Sequence, residues 1–134
     1  MKLFLDANVL FTAAHNPKGK AAFVIISGEF GKWKVHTCAL AIEEADRNLR
    51  IKFPAVLPEL KRLLHNILVV PTVIEGHCKI HLPEKDRPIF LSAVASQCTH
   101  LLTGDLKDFG PHMNQPKKTE GIVIQTVSQF LEKV

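Results

Sequence analysis

The chain predicts an α/β fold, a three-layer sandwich with a central parallel sheet of about five strands flanked by helices. Three features point to it. Short apolar runs alternate with helix-patterned runs along the chain. Pro and Gly fall at the junctions between them. The 134 residues, 46% hydrophobic and 22% charged, suit one globular domain with ample core material. A single domain over residues 1–134 is expected.

"KLFLD" (2–6) is an apolar strand of the kind buried inside a parallel sheet. "ANVLFTAA" (7–14) starts a helix and "HNPKG" (15–19) is a loop. "KAAFVIISGEFGK" (20–32) is a second helix with Ala21, Val24, Ile25 and Gly28 on one side, ended by Gly31. "WKVHT" (33–37) is the second strand. The helix over 39–53 places Leu40, Ile42, Ala45 and Leu49 inward, and Pro54 stops it. Pro58 opens a helix over 57–66. "ILVV" (67–70) is the third strand, and 71–85 a connecting loop. The helix over 86–98 has Pro88 in its first turn and Ile89, Ala93 and Val94 inward. "HLLT" (100–103) is the fourth strand, 111–118 a loop, "GIVIQT" (121–126) the fifth strand and 127–134 a final helix.

Several function classes are set aside by composition. No apolar run approaches the ~20 residues of a membrane span. The opening "MKLFLDANVL" is too short and too acidic for a secretory signal, so a cytoplasmic protein is expected. Cys38, Cys78 and Cys98 are an odd, scattered trio and read as reduced, mostly buried thiols. "HCKIH" brings His77, Cys78 and His81 together, but no second ligand pair accompanies them for a closed zinc site. The net charge of +4 modestly favours polyanionic partners.

Parallel sheets bind ligands at the carboxyl ends of their strands, and acids collect there. Asp6 ends the first strand and Asp105 follows the fourth. Asp86 opens the helix leading into the fourth strand, and Glu43 and Glu44 lie near the start of the helix after the second. Each has a plainer reading. Asp86 suits a helix N-cap, Asp105 and Asp108 suit turns, and Glu43 and Glu44 suit a solvated face with Arg47. Asp6 resists such a reading, because a carboxylate directly after a buried strand is costly unless paired. Together, four carboxylates in one cleft would repel one another and raise their pKa values. A hard divalent cation such as Mg²⁺ or Mn²⁺ relieves that repulsion and accepts phosphate oxygens. The expected chemistry is metal-assisted hydrolysis of a nucleic-acid backbone.

Four segments carry a resemblance: "LDANVL", "AIEEADRNL", "EKDRPIFLSAV" and "LLTGDLKDFG". In order and spacing, from Asp6 to Gly110, the chain resembles the PIN domain family. That resemblance implies an Mg²⁺- or Mn²⁺-dependent endoribonuclease leaving a 5′-phosphate and a 3′-hydroxyl. It assigns Asp6, Glu44, Asp86 and Asp105 as catalytic metal ligands, with Glu43 as the alternative to Glu44, since neighbours on a helix point about 100° apart. Asn8 and Thr103 would support them, and Asp108 is either an outer ligand or a turn cap. Small members of the family are often toxins of toxin–antitoxin pairs. The resemblance therefore extends to a small antitoxin partner and a homodimer.

An acidic cleft cannot itself attract RNA. Lys18, Lys20, Lys107, Lys117 and Lys118 are the candidate phosphate contacts. The aromatics are mostly Phe, with one Trp and no Tyr, and offer no clear base-stacking platform in the sequence. Two rivals stand. A haloacid dehalogenase-type phosphatase also begins with an Asp after its first strand, but has a second Asp where this chain has Asn8. A non-catalytic module binding RNA or protein would keep the fold without the chemistry.

Overall fold

The computed structural model describes residues 1–134. The elements are β1 (Lys2–Leu5), α1 (Ala7–His15), α2 (Lys20–Glu29), β2 (Lys34–Cys38), α3 (Ala39–Lys52), α4 (Leu57–Leu64), β3 (Leu68–Val70), α5 (Arg87–Ala95), β4 (His100–Leu102), β5 (Val123–Gln125) and α6 (Val127–Lys133). Short 3₁₀ turns lie at Pro54–Val56, Glu84–Asp86 and Gly110–His112. No helix is long and apolar enough to cross a membrane.

The five strands form one parallel sheet in the order β3-β2-β1-β4-β5. Helices cover both faces. Val35 lies against α2, so close that a Cβ on Gly28 would come within 2.7 Å of it. The next residue, His36, faces the other way, where it lines a groove with Ser92 and Ala95 of α5. Leu3, Phe4 and Leu5 are wholly buried between these layers, as an apolar run at the centre of a parallel sheet must be. Phe4, Phe90, Phe109 and Phe130 are the largest wholly buried side chains, and Trp33 packs edge-on against Phe130 at the margin of the same core.

Some expected boundaries shift. α2 stops at Glu29 rather than 32, and Gly31 follows it with a left-handed φ of +83°. α4 ends at Leu64 and β5 begins at Val123. The inner face of α3 is Ala41, Ala45 and Leu49, while Leu40 and Ile42 sit half-buried at its margins. α3 packs closely against α1, and small alanines permit the approach that Leu40 and Ile42 would block. Val94 is likewise half-buried, whereas Ile89 and Ala93 are buried.

The order of the strands reverses at β1. The chain runs outward from β1 through β2 to β3, then returns to place β4 on the other side of β1. The crevice beyond the carboxyl ends of β1 and β4 is therefore the topological switch point, where such sheets hold ligands.

Candidate metal centre

Register brings the first two site residues together. Leu5 pairs with Leu102, so the residues just beyond them, Asp6 and Thr103, are neighbours. The Asp6 amide donates to the Leu102 carbonyl at 3.0 Å. Asp6 is also the N-cap of α1, and its Oδ1 accepts from the Ala7 amide at 2.7 Å. Its Oδ2 accepts from the Thr103 hydroxyl at 2.8 Å and from Asn8 Nδ2 at 3.1 Å. Asn8 Oδ1 in turn accepts from the Gly104 amide at 2.6 Å. A Cβ at residue 104 would sit 3.3 Å from that oxygen, so glycine lets the loop close on Asn8. Asn8 and Thr103 thus tie the start of α1 to the loop after β4 and fix the Asp6 carboxylate.

Asp105 uses Oδ1 to accept from the Asp108 amide at 3.0 Å, which folds the following turn. Its carboxylate remains on the cleft. Asp86 closes the 3₁₀ turn before α5, yet its side chain makes no capping bond. Its backbone lies in the helical region, where a cap residue is normally extended. Oδ2 of Asp86 is buried without any hydrogen-bond partner. The plain N-cap reading of Asp86 fails for that reason.

Asp6, Glu44, Asp86 and Asp105 line one cleft of about 220 Å³. Glu43 does not line it and is exposed. It lies two residues from both Ala41 and Ala45, about 200° around the helix from the buried stripe. The tightest grouping is Asp86, Asp105 and Asp108, whose carboxylate oxygens lie within 4.8 Å of one another. Of the candidate lysines, Lys20 lines a neighbouring groove with Asn8 and Thr12, while Lys18, Lys107, Lys117 and Lys118 line neither. Lys52, Lys85 and Asn48 line the acidic cleft and were not singled out by the sequence motifs. Their signal was helix spacing, since Asn48 and Lys52 follow Glu44 at four-residue intervals.

The electrostatics follow from burial. Loss of water pushes the Asp6 carboxyl above its ordinary range; Thr103 and Ala7 pull it back, and Glu44 and Asp105 push it further. Asp86 is pushed up to about 7, by burial first and then by the hydrogen bond and charge of Asp108. Asp108 is held low chiefly because it accepts that hydrogen bond, with Asp105, Lys85 and Lys107 assisting. Lys85 Nζ stands 3.7 Å from Asp108. An all-oxygen donor set, one buried oxygen without a partner and carboxyls that resist ionisation together fit a hard divalent cation.

Thr103→Val keeps the shape and removes one donor to Asp6. Hydrogen bonds to charged groups contribute about 1.5–3 kcal/mol, so melting should fall by roughly 4–10 °C in a thermal scan.

No protein-family model matches the sequence, and no curated protein matches it either. Solved structures do match its fold. One is a chain from VapBC2 of Rickettsia felis bound to a DNA fragment from their promoter, 12% identical, covering 94% of this chain and 98% of that one at a TM-score of 0.65. Another is a chain from VapBC-1 of nontypeable Haemophilus influenzae, 12% identical, covering 96% and 99% at a TM-score of 0.58. The fold is that of a PIN domain. In the PIN architecture of this chain, the acids gather at the β1/β4 switch point.

Proposed function

We propose that this PIN-fold chain is an Mg²⁺- or Mn²⁺-dependent endoribonuclease and the toxin of a toxin–antitoxin pair. One observation carries the reading. Acids from four distant segments line a single cleft, and one of them, Asp86, buries an oxygen with no partner. Asp6, Glu44, Asp86 and Asp105 would hold the ion, with Asp108 beside them. A divalent ion held there supplies Lewis acidity toward water and a phosphodiester.

The rest is done by the chain's own groups. Thr103, Ala7 and Asn8 hold Asp6 in one orientation, so no reorganisation is needed when substrate arrives. Lys85 and Lys52 bring positive charge to a cleft that would otherwise repel phosphate. Asn48 and Thr12 offer neutral polar groups between them for ribose or phosphate oxygens. Two of the structures similar in fold are of VapBC2 and VapBC-1, which supports a small antitoxin protein as the partner. A homodimer belongs to the same reading.

Two adjacent glutamates give the test. Cleavage of single-stranded RNA should require Mg²⁺ or Mn²⁺ and stop in EDTA. Glu44→Gln should lower the rate by about 10²-fold or more, because it removes a charge from the cleft. Glu43→Gln should change it by less than about twofold, since that side chain faces outward. Equal effects from the two substitutions would remove Glu44 from the site. An absence of cleavage with either metal would remove the nuclease.

A further inference from the structure

The cleft does not end at the acids. Along α1, Asn8, Phe11 and Thr12 line one wall, and His15 continues the same stripe one turn on. Along α3, Glu44, Asn48 and Lys52 line the opposite wall at four-residue intervals. The groove therefore changes character along its length, from carboxylates through neutral amides to an aromatic and basic end. At that end His15 stacks on Phe53 with ring centroids 3.9 Å apart and planes inclined by 23°. Phe11 stands 6.1 Å from each of them. Lys52 Nζ lies 5.7 Å from the centre of the Phe11 ring. His15 is exposed, and Phe53 is 39% exposed although it is a large apolar side chain.

We infer that the Phe11–His15–Phe53 shelf stacks a nucleobase of the bound RNA strand, with Lys52 meeting the adjacent phosphate. This rests on the ribonuclease reading and adds a specificity element to it. The shelf and the acids share one groove, because Phe11 and Lys52 line the acidic cleft itself. Planar rings beside a cation are what single-stranded nucleic acid uses for binding without reading sequence. From Asn8 to His15 the groove runs about 10 Å at the ~1.5 Å rise of a helix. That places the stacked base two or three nucleotides from the scissile phosphate, at the ~3.4 Å rise of a stacked strand. A base inside a duplex keeps its own neighbours and cannot reach the shelf, so an unpaired strand is required.

The experiment uses the full chain with Mn²⁺ and a short oligoribonucleotide cut at one mapped position. Abasic nucleotides are placed singly along it. One abasic position, two or three nucleotides from the cut, should raise KM about tenfold and leave kcat within about twofold. Phe53→Ala should raise KM on the intact strand by a similar factor and lose nothing more on that abasic strand. Phe53→Trp should restore binding. His15→Ala should act in the same direction as Phe53→Ala, and thermal melts report that each variant folds. If the protein cleaves but the abasic scan is flat, or Phe53→Ala keeps its KM, the inference is overturned and the shelf is a protein-docking surface. If the wild type cleaves nothing, the nuclease reading has failed separately. Indole fluorescence of Phe53→Trp, read against the wild type with its buried Trp33, then decides for the shelf: quenching by single-stranded RNA seen only in the variant supports it, and no such quenching overturns it.

Discussion

Asp6→Asn should lower RNA cleavage by at least about 10³-fold while leaving the metal-free protein folded, with the lost contacts of the carboxylate and the relief of its burial roughly offsetting each other. The two halves have separate causes. Asn is nearly isosteric, so its carbonyl can still accept from the Ala7 amide that opens α1. Its amide would face the Asn8 amide, which donates to Asp6 Oδ2 at 3.1 Å, and a Thr103 hydroxyl oxygen that already accepts from the Asp105 amide, so those two contacts weaken. What disappears is the charge. Burial already pushes the Asp6 carboxyl up, with Glu44 and Asp105 adding to the effect, so a neutral group fits the apo cleft better. The same charge is what a divalent ion needs as a ligand, and losing it removes electrostatic stabilisation at the reacting phosphate. Parallel rate assays and thermal melts in EDTA check both halves. Near-normal cleavage would show that Asp6 is no ligand. A melt lowered by many degrees would instead show a purely structural carboxylate.

The fold was legible because the middle strand β1 and its neighbour β4 carry short apolar runs, although β2 buries His36 and Thr37 among its apolar residues. "KLFL" can only be buried on both faces, and its successor Asp6 can only stand at an edge. The helix phases were less legible. Leu40 and Ile42 outrank Ala41 in hydrophobicity, yet α1 lies too close to α3 to admit them, and tertiary packing decided the face. That phase also puts Glu44 on the cleft and leaves Glu43 on the exposed face, a difference their adjacency hides. Local chemistry hid Asp86 in a different way. An Asp before a helix reads as a cap, and only its backbone angles and unpartnered oxygen show that it does not serve as one.

What single positions cannot carry is juxtaposition between distant elements. Asp108 reads as a turn residue beside Gly110, but the turn swings its carboxylate against Asp86, twenty-two residues earlier in the chain. Phe11, His15 and Phe53 are unremarked in composition because their meaning lies in the meeting of the end of α1 with the end of α3. Lys52 and Lys85 were likewise hidden among other lysines until the cleft selected them.

Asp86→Asn should reveal, through pH, the strain that the crowded carboxyls place on the protein in EDTA. In the folded chain Asp86 keeps its proton up to about pH 7. In the unfolded chain a carboxyl releases it near ~3.9. Between these limits the folded state binds more protons, so raising the pH costs stability, fully above about pH 7 and not at all below about pH 4. His36 and His100 work in the opposite sense. Burial holds both below their ordinary value, so raising the pH through their range favours the fold. Those histidines are common to wild type and variant and cancel in the difference. In EDTA the variant should therefore melt above the wild type at pH 8 by about 5–10 °C, from about 2–4 kcal/mol. The two should draw together as the pH falls and converge below about pH 4, where Asp86 is protonated in the folded and the unfolded wild type alike. The substituted amide can donate to Asp108 as the protonated acid does, so that contact survives. Saturating Mn²⁺ at pH 8 should raise the wild type, by about 2.7 kcal/mol at a hundredfold excess over Kd, and move the variant far less. Melting curves that run parallel from pH 4.5 to 8 in EDTA would mean that the Asp86 carboxyl is not strained. The case for a cation at this cleft would then lose its physical cause.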